Sequence, residues 1–145
     1  MKGRLSRVIF WALIGTSIVT ASWFFAATTH EFARGSHFII FLASSGTVLF
    51  SLGIALILLT VKEKARGMLR KFLILTGASA VGIPLSIVLH NAVYGILIYW
   101  FGADFWDRTG AGDEPFFFIM GIIICPLGFL VGAVGSIVLA IRQPD

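Results

Sequence analysis

With 145 residues, the chain suits one domain, and it is 58% hydrophobic and only 12% charged. Soluble domains run at roughly half apolar and a quarter charged, so so much apolar surface finds its natural solvent in lipid rather than in one water-soluble core. The formal charge is +4, and the single cysteine, Cys125, excludes an intramolecular disulfide, a CxxC redox pair and a Cys/His zinc finger.

Four runs lack Asp, Glu, Lys and Arg altogether: 8–29, 38–61, 72–101 and 115–141. Each exceeds the ~20 residues that a helix needs to cross a hydrocarbon core about 30 Å thick. Their continuous apolar character differs from the alternating pattern of a barrel strand. The reading is all-α: a polytopic membrane protein of one transmembrane domain, an antiparallel four-helix bundle with short loops.

The first run follows Lys2, Arg4 and Arg7. A basic start, an apolar stretch and "VTAS" at 19–22 have the pattern of a signal peptide cleaved after Ala21. The apolar run continues through Trp23, Phe24, Phe25, Ala26 and Ala27, which favours an uncleaved helix. A short loop then carries His30, Glu31 and Arg34, and His37 begins the second run. So short a loop makes the first two helices antiparallel neighbours.

The second loop is basic, with Lys62, Lys64, Arg66, Arg70 and Lys71, and Arg142 follows the fourth run. Nine of the eleven basic residues thus fall on one side of the four-span arrangement, leaving Arg34 and Arg108 on the other. The positive-inside rule places both termini in the cytoplasm of a cell-membrane protein. Glu31, Asp104, Asp107, Asp113 and Glu114 lie on the far side. The basic collar faces anionic lipid head groups, and no nucleic-acid partner is expected.

The third run carries "SIVLHNAVYG" (86–95), with His90 beside Asn91, the only asparagine. Ser79, Gly82, Ser86, His90 and Tyr94 recur at steps of 3 and 4 and therefore share a helix face. Polar atoms avoid lipid, so this face points into the bundle. Thr16 and Thr20 of the first run, and Ser44, Thr47 and Ser51 of the second, are its expected partners. Pro84 should bend the helix. Trp100, Phe101, Phe105 and Trp106 read as an interfacial aromatic belt.

In the loop before the fourth run, "GAGDEP" (110–115) reads as a turn and a helix start, with Asp113 as N-cap and Glu114 and Pro115 in the first turn. Within the run, Gly121, Cys125, Gly128, Gly132 and Gly135 form a small-residue stripe that permits close backbone approach. Packing of this stripe inside the monomer is favoured over packing between copies. Pro126 interrupts the same helix.

His90 lies roughly 27 Å along the helix from Phe72, at the level of His30 and His37. His30, Glu31, Arg34, His37, His90, Asn91 and Tyr94 make the candidate polar cluster. The simplest role is interhelical hydrogen bonding near a wet boundary. A divalent metal or a haem held by His30, His37 and His90, with Glu31, is the alternative. HExxH, GxSxG, a P-loop and a dinucleotide fingerprint are absent, and Ser86 and His90 at i, i+4 have no carboxylate nearby in sequence. A small transporter is a further alternative, but no span holds the carboxylate or lysine that ion-coupled carriers use. The in-membrane glutamate of small multidrug antiporters and the CxxC of quinone-linked thiol oxidoreductases are both missing. The expectation is a non-enzymatic accessory or structural subunit with no catalytic residues and no cofactor, working with a membrane-protein partner or as a homo-oligomer.

Overall fold

A computed structural model describes residues 4–29, 36–63 and 66–142. The described residues form helices α1 (Arg4–Thr29), α2 (Ser36–Lys62), α3 (Gly67–Phe101), the short α4 (Phe105–Thr109) and α5 (Pro115–Arg142). The protein is all-helical, and α1, α2, α3 and α5 are each long and apolar enough to span a membrane. All four overrun their uncharged segments at the ends that carry Arg4, Arg7, Lys62, Arg70, Lys71 and Arg142. Arginine and lysine are good helix formers, so they prolong an apolar helix past its uncharged run.

The long helices pack in chain order, α1 on α2, α2 on α3 and α3 on α5, and the interfaces made by α3 are the most extensive. At one end of the α1–α2 pair the Ser6 hydroxyl donates to Glu63 Oε2 at 2.7 Å. At the other, Trp23 meets Phe41 and Phe24 meets Phe38, with ring centroids 5.2 and 6.3 Å apart. The two helices are therefore antiparallel. Between these ends Phe10 and Leu13 enter a core shared with Leu49, Leu56, Leu73, Ala80, Phe129 and Ala133.

Backbone contact joins α2 to α3. A Cβ built on Gly53 falls 2.7 Å from the Gly77 carbonyl oxygen, and one built on Gly77 falls 2.8 Å from the Gly53 carbonyl oxygen. The reciprocity places two helix backbones in direct contact, which only glycine at both positions permits. One to two turns further, Pro84 lies against Gly46. Helix α3 runs through Pro84 without interruption.

Helix α5 accommodates Pro126 differently. Residues Met120–Ile124 form a π-helical turn, closed by the Cys125 N–H on the Met120 carbonyl. Proline lacks an N–H and its ring crowds the carbonyl one turn back, and a wider turn relieves both problems. These pairings bring Arg4, Arg7, Lys62, Arg66, Arg70, Lys71 and Arg142 to one end, the basic end. Asp104, Asp107, Asp113 and Glu114 gather at the other, the acidic end.

Candidate functional site

The two small-residue stripes face one another along α3 and α5. Cβ atoms built on Gly128 and Gly132 fall 2.5 Å from Ser79 Oγ and 2.7 Å from the Thr76 backbone nitrogen. One built on Gly135 falls 2.6 Å from the Phe72 ring, and one on Gly121 falls 3.1 Å from Ser86 Cβ. Gly82 receives the Cys125 sulfur in the same way, 2.6 Å from a built Cβ. Every small residue of one helix thus seats a larger one of the other. The partners expected from α1 and α2 are not used: Thr16, Thr20, Ser44, Thr47 and Ser51 each donate to a carbonyl one turn back in their own helix. A hydroxyl in a helix reaches that carbonyl without a second helix, so it requires no interhelical partner.

The stripe of α3 ends at His90, and there it meets the start of α5. Pro115 occupies the first helical position. A residue before proline is held extended, and Glu114 is so held, at φ −78° and ψ 107°. That makes Glu114, not Asp113, the N-cap. Its Oε1 accepts from the Phe116 N–H and its Oε2 from the Phe117 N–H, both at 2.9 Å. Asp113 Oδ1 instead accepts from the Glu114 N–H at 2.7 Å. The Glu114 side chain is 6% exposed, and two backbone donors and the positive end of the helix stabilise its charge there.

His90 closes over this cap. Its Nδ1 lies 3.0 Å from the Glu114 carbonyl oxygen and 3.3 Å from Oε2. A carbonyl only accepts, so Nδ1 carries the proton and donates. Nε2 is left 3.6 Å from Asp113 Oδ1. The Phe118 ring flanks the imidazole, with centroids 5.8 Å apart. The His90 side chain is 18% exposed, so water reaches it while Glu114 is covered.

The other members of the expected cluster lie elsewhere. Asn91 is exposed and its amide donates to the Ile87 carbonyl at 2.8 Å, within its own helix. Adjacent residues of a helix sit about 100° apart, so Asn91 turns away as His90 turns in. The Tyr94 ring stacks on Trp106 at 5.7 Å with 1° between planes, and Trp106 Nε1 donates to the Tyr94 carbonyl at 3.4 Å. Trp106 is therefore tucked against α3 and buried, not part of the exposed belt that Trp100 and Phe101 supply. His37 is exposed at the start of α2. His30, Glu31 and Arg34 lie outside the described residues. Among the described residues, no group of three His, Cys, Asp or Glu is placed to hold a metal ion.

Sequence reasoning paired His90 with histidines at equal depth and missed Glu114, 24 residues away. The usable signal was Pro115: it dictates which residue caps the helix, and the cap stands at the depth of His90. The arrangement fixes one imidazole tautomer, holds one carboxylate against a helix start, and presents Nε2 to a second carboxylate. It offers a proton-binding atom, while Ser86, one turn back along α3, is buried against Gly121 of α5. Comparison with protein families, with characterised proteins and with solved structures finds no match to this chain.

Proposed function

We propose that this protein is a multi-pass cell-membrane protein with both termini in the cytoplasm, acting as a non-enzymatic accessory subunit of a membrane assembly. The distribution of charge supports the orientation: the basic end faces the cytoplasm and its anionic lipids, and the acidic end faces out. The observation that carries the role is the uneven cover of the helices. In the most apolar stretch of α1 only 11% of residues are buried, against 33% in α3. Val8, Trp11, Ile18 and Val19 are exposed along α1, and a Cβ built on Gly15 meets nothing within 4 Å. A helix that touches mainly one neighbour and carries an uncovered glycine on its outward face suits contact with a further transmembrane helix. At the acidic end, by contrast, His90 meets Glu114 and Arg108 pairs with Asp104 within the chain.

Extraction in mild detergent at native expression level, followed by mass spectrometry of what co-purifies, tests the reading. A stoichiometric membrane partner is the expected result. Gly15→Leu should weaken that association while leaving the protein inserted and folded. A chain that elutes alone, with Gly15→Leu indistinguishable from wild type, removes the proposal.

A further inference from the structure

We infer that His90, Asp113 and Glu114 form a proton-operated latch that fastens the loop before α5 to α3. The geometry gives the two imidazole nitrogens unequal tasks. Nδ1 is committed in either protonation state, because the Glu114 carbonyl at 3.0 Å and Oε2 at 3.3 Å both require a donor there. Nε2 changes sign. In the neutral ring its lone pair faces the Asp113 carboxylate at 3.6 Å, an acceptor against an acceptor. Binding one proton turns Nε2 into a donor and gives the imidazole a charge between two carboxylates. The pair across Nε2 then becomes a charge-assisted hydrogen bond.

The charged groups facing His90 are few. Asp113 comes from the loop and Glu114 from the start of α5. The α5 terminus adds the Phe116 and Phe117 N–H groups, whose positive ends are occupied by Glu114. The neighbouring ring, Phe118, is neutral. Arg108, the described cation of this end, is turned the other way: Nε pairs with Asp104 Oδ2 at 3.2 Å and a terminal nitrogen donates to the Phe101 carbonyl at 2.6 Å. Among the described residues, no lysine or arginine therefore competes with the proton at Asp113.

The loop is built to respond. Gly110 and Gly112 both take positive φ, at 71° and 70°, and a Cβ built on either meets nothing within 4 Å. Asp113 follows at once and is 54% exposed on its side chain. Opening Nε2 from Asp113 frees the loop tip, while the buried Glu114 cap stays in place. The latch thus has a fixed half, Nδ1 with Glu114, and a switched half, Nε2 with Asp113. It reports the pH of the compartment that the acidic end faces, whichever partner α1 meets.

Hydrogen exchange of the full chain in lipid nanodiscs, corrected for intrinsic exchange rates, tests this at pH 7.5 and pH 5.5. Amides of 110–117 should exchange about two- to fivefold more slowly at the lower pH, the range for a partly exposed ion pair. The α2 segment 49–60 serves as the reference and should not change. Asp113→Asn keeps an oxygen for the Glu114 N–H and sits on an exposed side chain, so it folds; it removes the carboxylate charge and should shrink the pH difference to less than half. His90→Gln should abolish it, with faster exchange at both pH values because Nδ1 is lost. Equal exchange at the two pH values in wild type, or an undiminished difference in Asp113→Asn, overturns the latch.

Discussion

The α3–α5 and α1–α2 interfaces use similar residues to opposite ends. Both contain serines and threonines within the apolar helices. Against α5, Ser79 and Thr76 lie under Gly128 and Gly132, close enough that a methyl group on either glycine has no room. Between α1 and α2, Thr16, Thr20, Ser44 and Ser45 line a groove of about 350 Å³ with Val19, Phe41 and Val48. Hydroxyls do not decide whether two helices close. What faces them does: glycine admits the opposing backbone, whereas Val19, Phe41 and Val48 hold it off.

The largest break in this contrast should come from Gly132→Val. Its Cβ meets the Thr76 nitrogen at 2.7 Å and the Phe72 carbonyl at 3.0 Å, both backbone atoms that cannot rotate aside. A loss of about 3 kcal/mol, the upper end for overpacking, is expected in reversible unfolding from bicelles. Gly15→Ala on α1, where nothing lies within 4 Å, should leave stability unchanged or slightly raised by helix propensity.

Glu114→Ala comes next, since it removes the cap of α5 and an acceptor of His90 together. Thermal unfolding should show a loss of about 2 kcal/mol, the high end for an N-cap. Asp113→Ala should cost clearly less, because Asp113 does not cap the helix. The reverse ordering of these two variants would contradict the assignment of the cap.

Ser136 sharpens the comparison from inside the core. It is 1% exposed and, among the described residues, its hydroxyl has no hydrogen-bond partner. Ser136→Ala should therefore stabilise the protein by about 1 kcal/mol, the release of an unsatisfied buried group. The smallest effect belongs to the groove: Ser44→Ala should change stability by less than about 0.5 kcal/mol, because its hydroxyl bonds only to Ile40 of its own helix and is exposed. A loss above 1 kcal/mol there would show that the α1–α2 hydroxyls hold helices together after all.

The four spans were legible because freedom from charge over 20 or more residues is a one-dimensional property. The stripes of α3 and α5 were legible because steps of 3 and 4 define a helix face whatever the partner. Which stripe meets which was not: Thr16 and Ser44 look as suitable for α3 as Gly128 does until the self-bonding of a helical hydroxyl is considered. Trp106 reads as belt by composition, yet the positive-φ Gly102, at 98°, turns the chain back so that its ring lies on Tyr94. The His90 site was half legible. Its depth follows from counting along one helix, but its partner sits across a loop, where depth depends on a cap and not on a count.

The packing of each spanning helix on its predecessor has a consequence for how the chain is made. The extensive interfaces join α1 to α2, α2 to α3 and α3 to α5, always between successive spans. A nascent chain emerges from its N-terminus at about 5–20 residues per second. Each helix after the first thus finds a docking surface already made when it is delivered, and α3 completes its cover when α5 follows. Such low contact order favours rapid assembly in the order of translation. The α1 face is the first surface formed, while the rest of the chain is still on the ribosome.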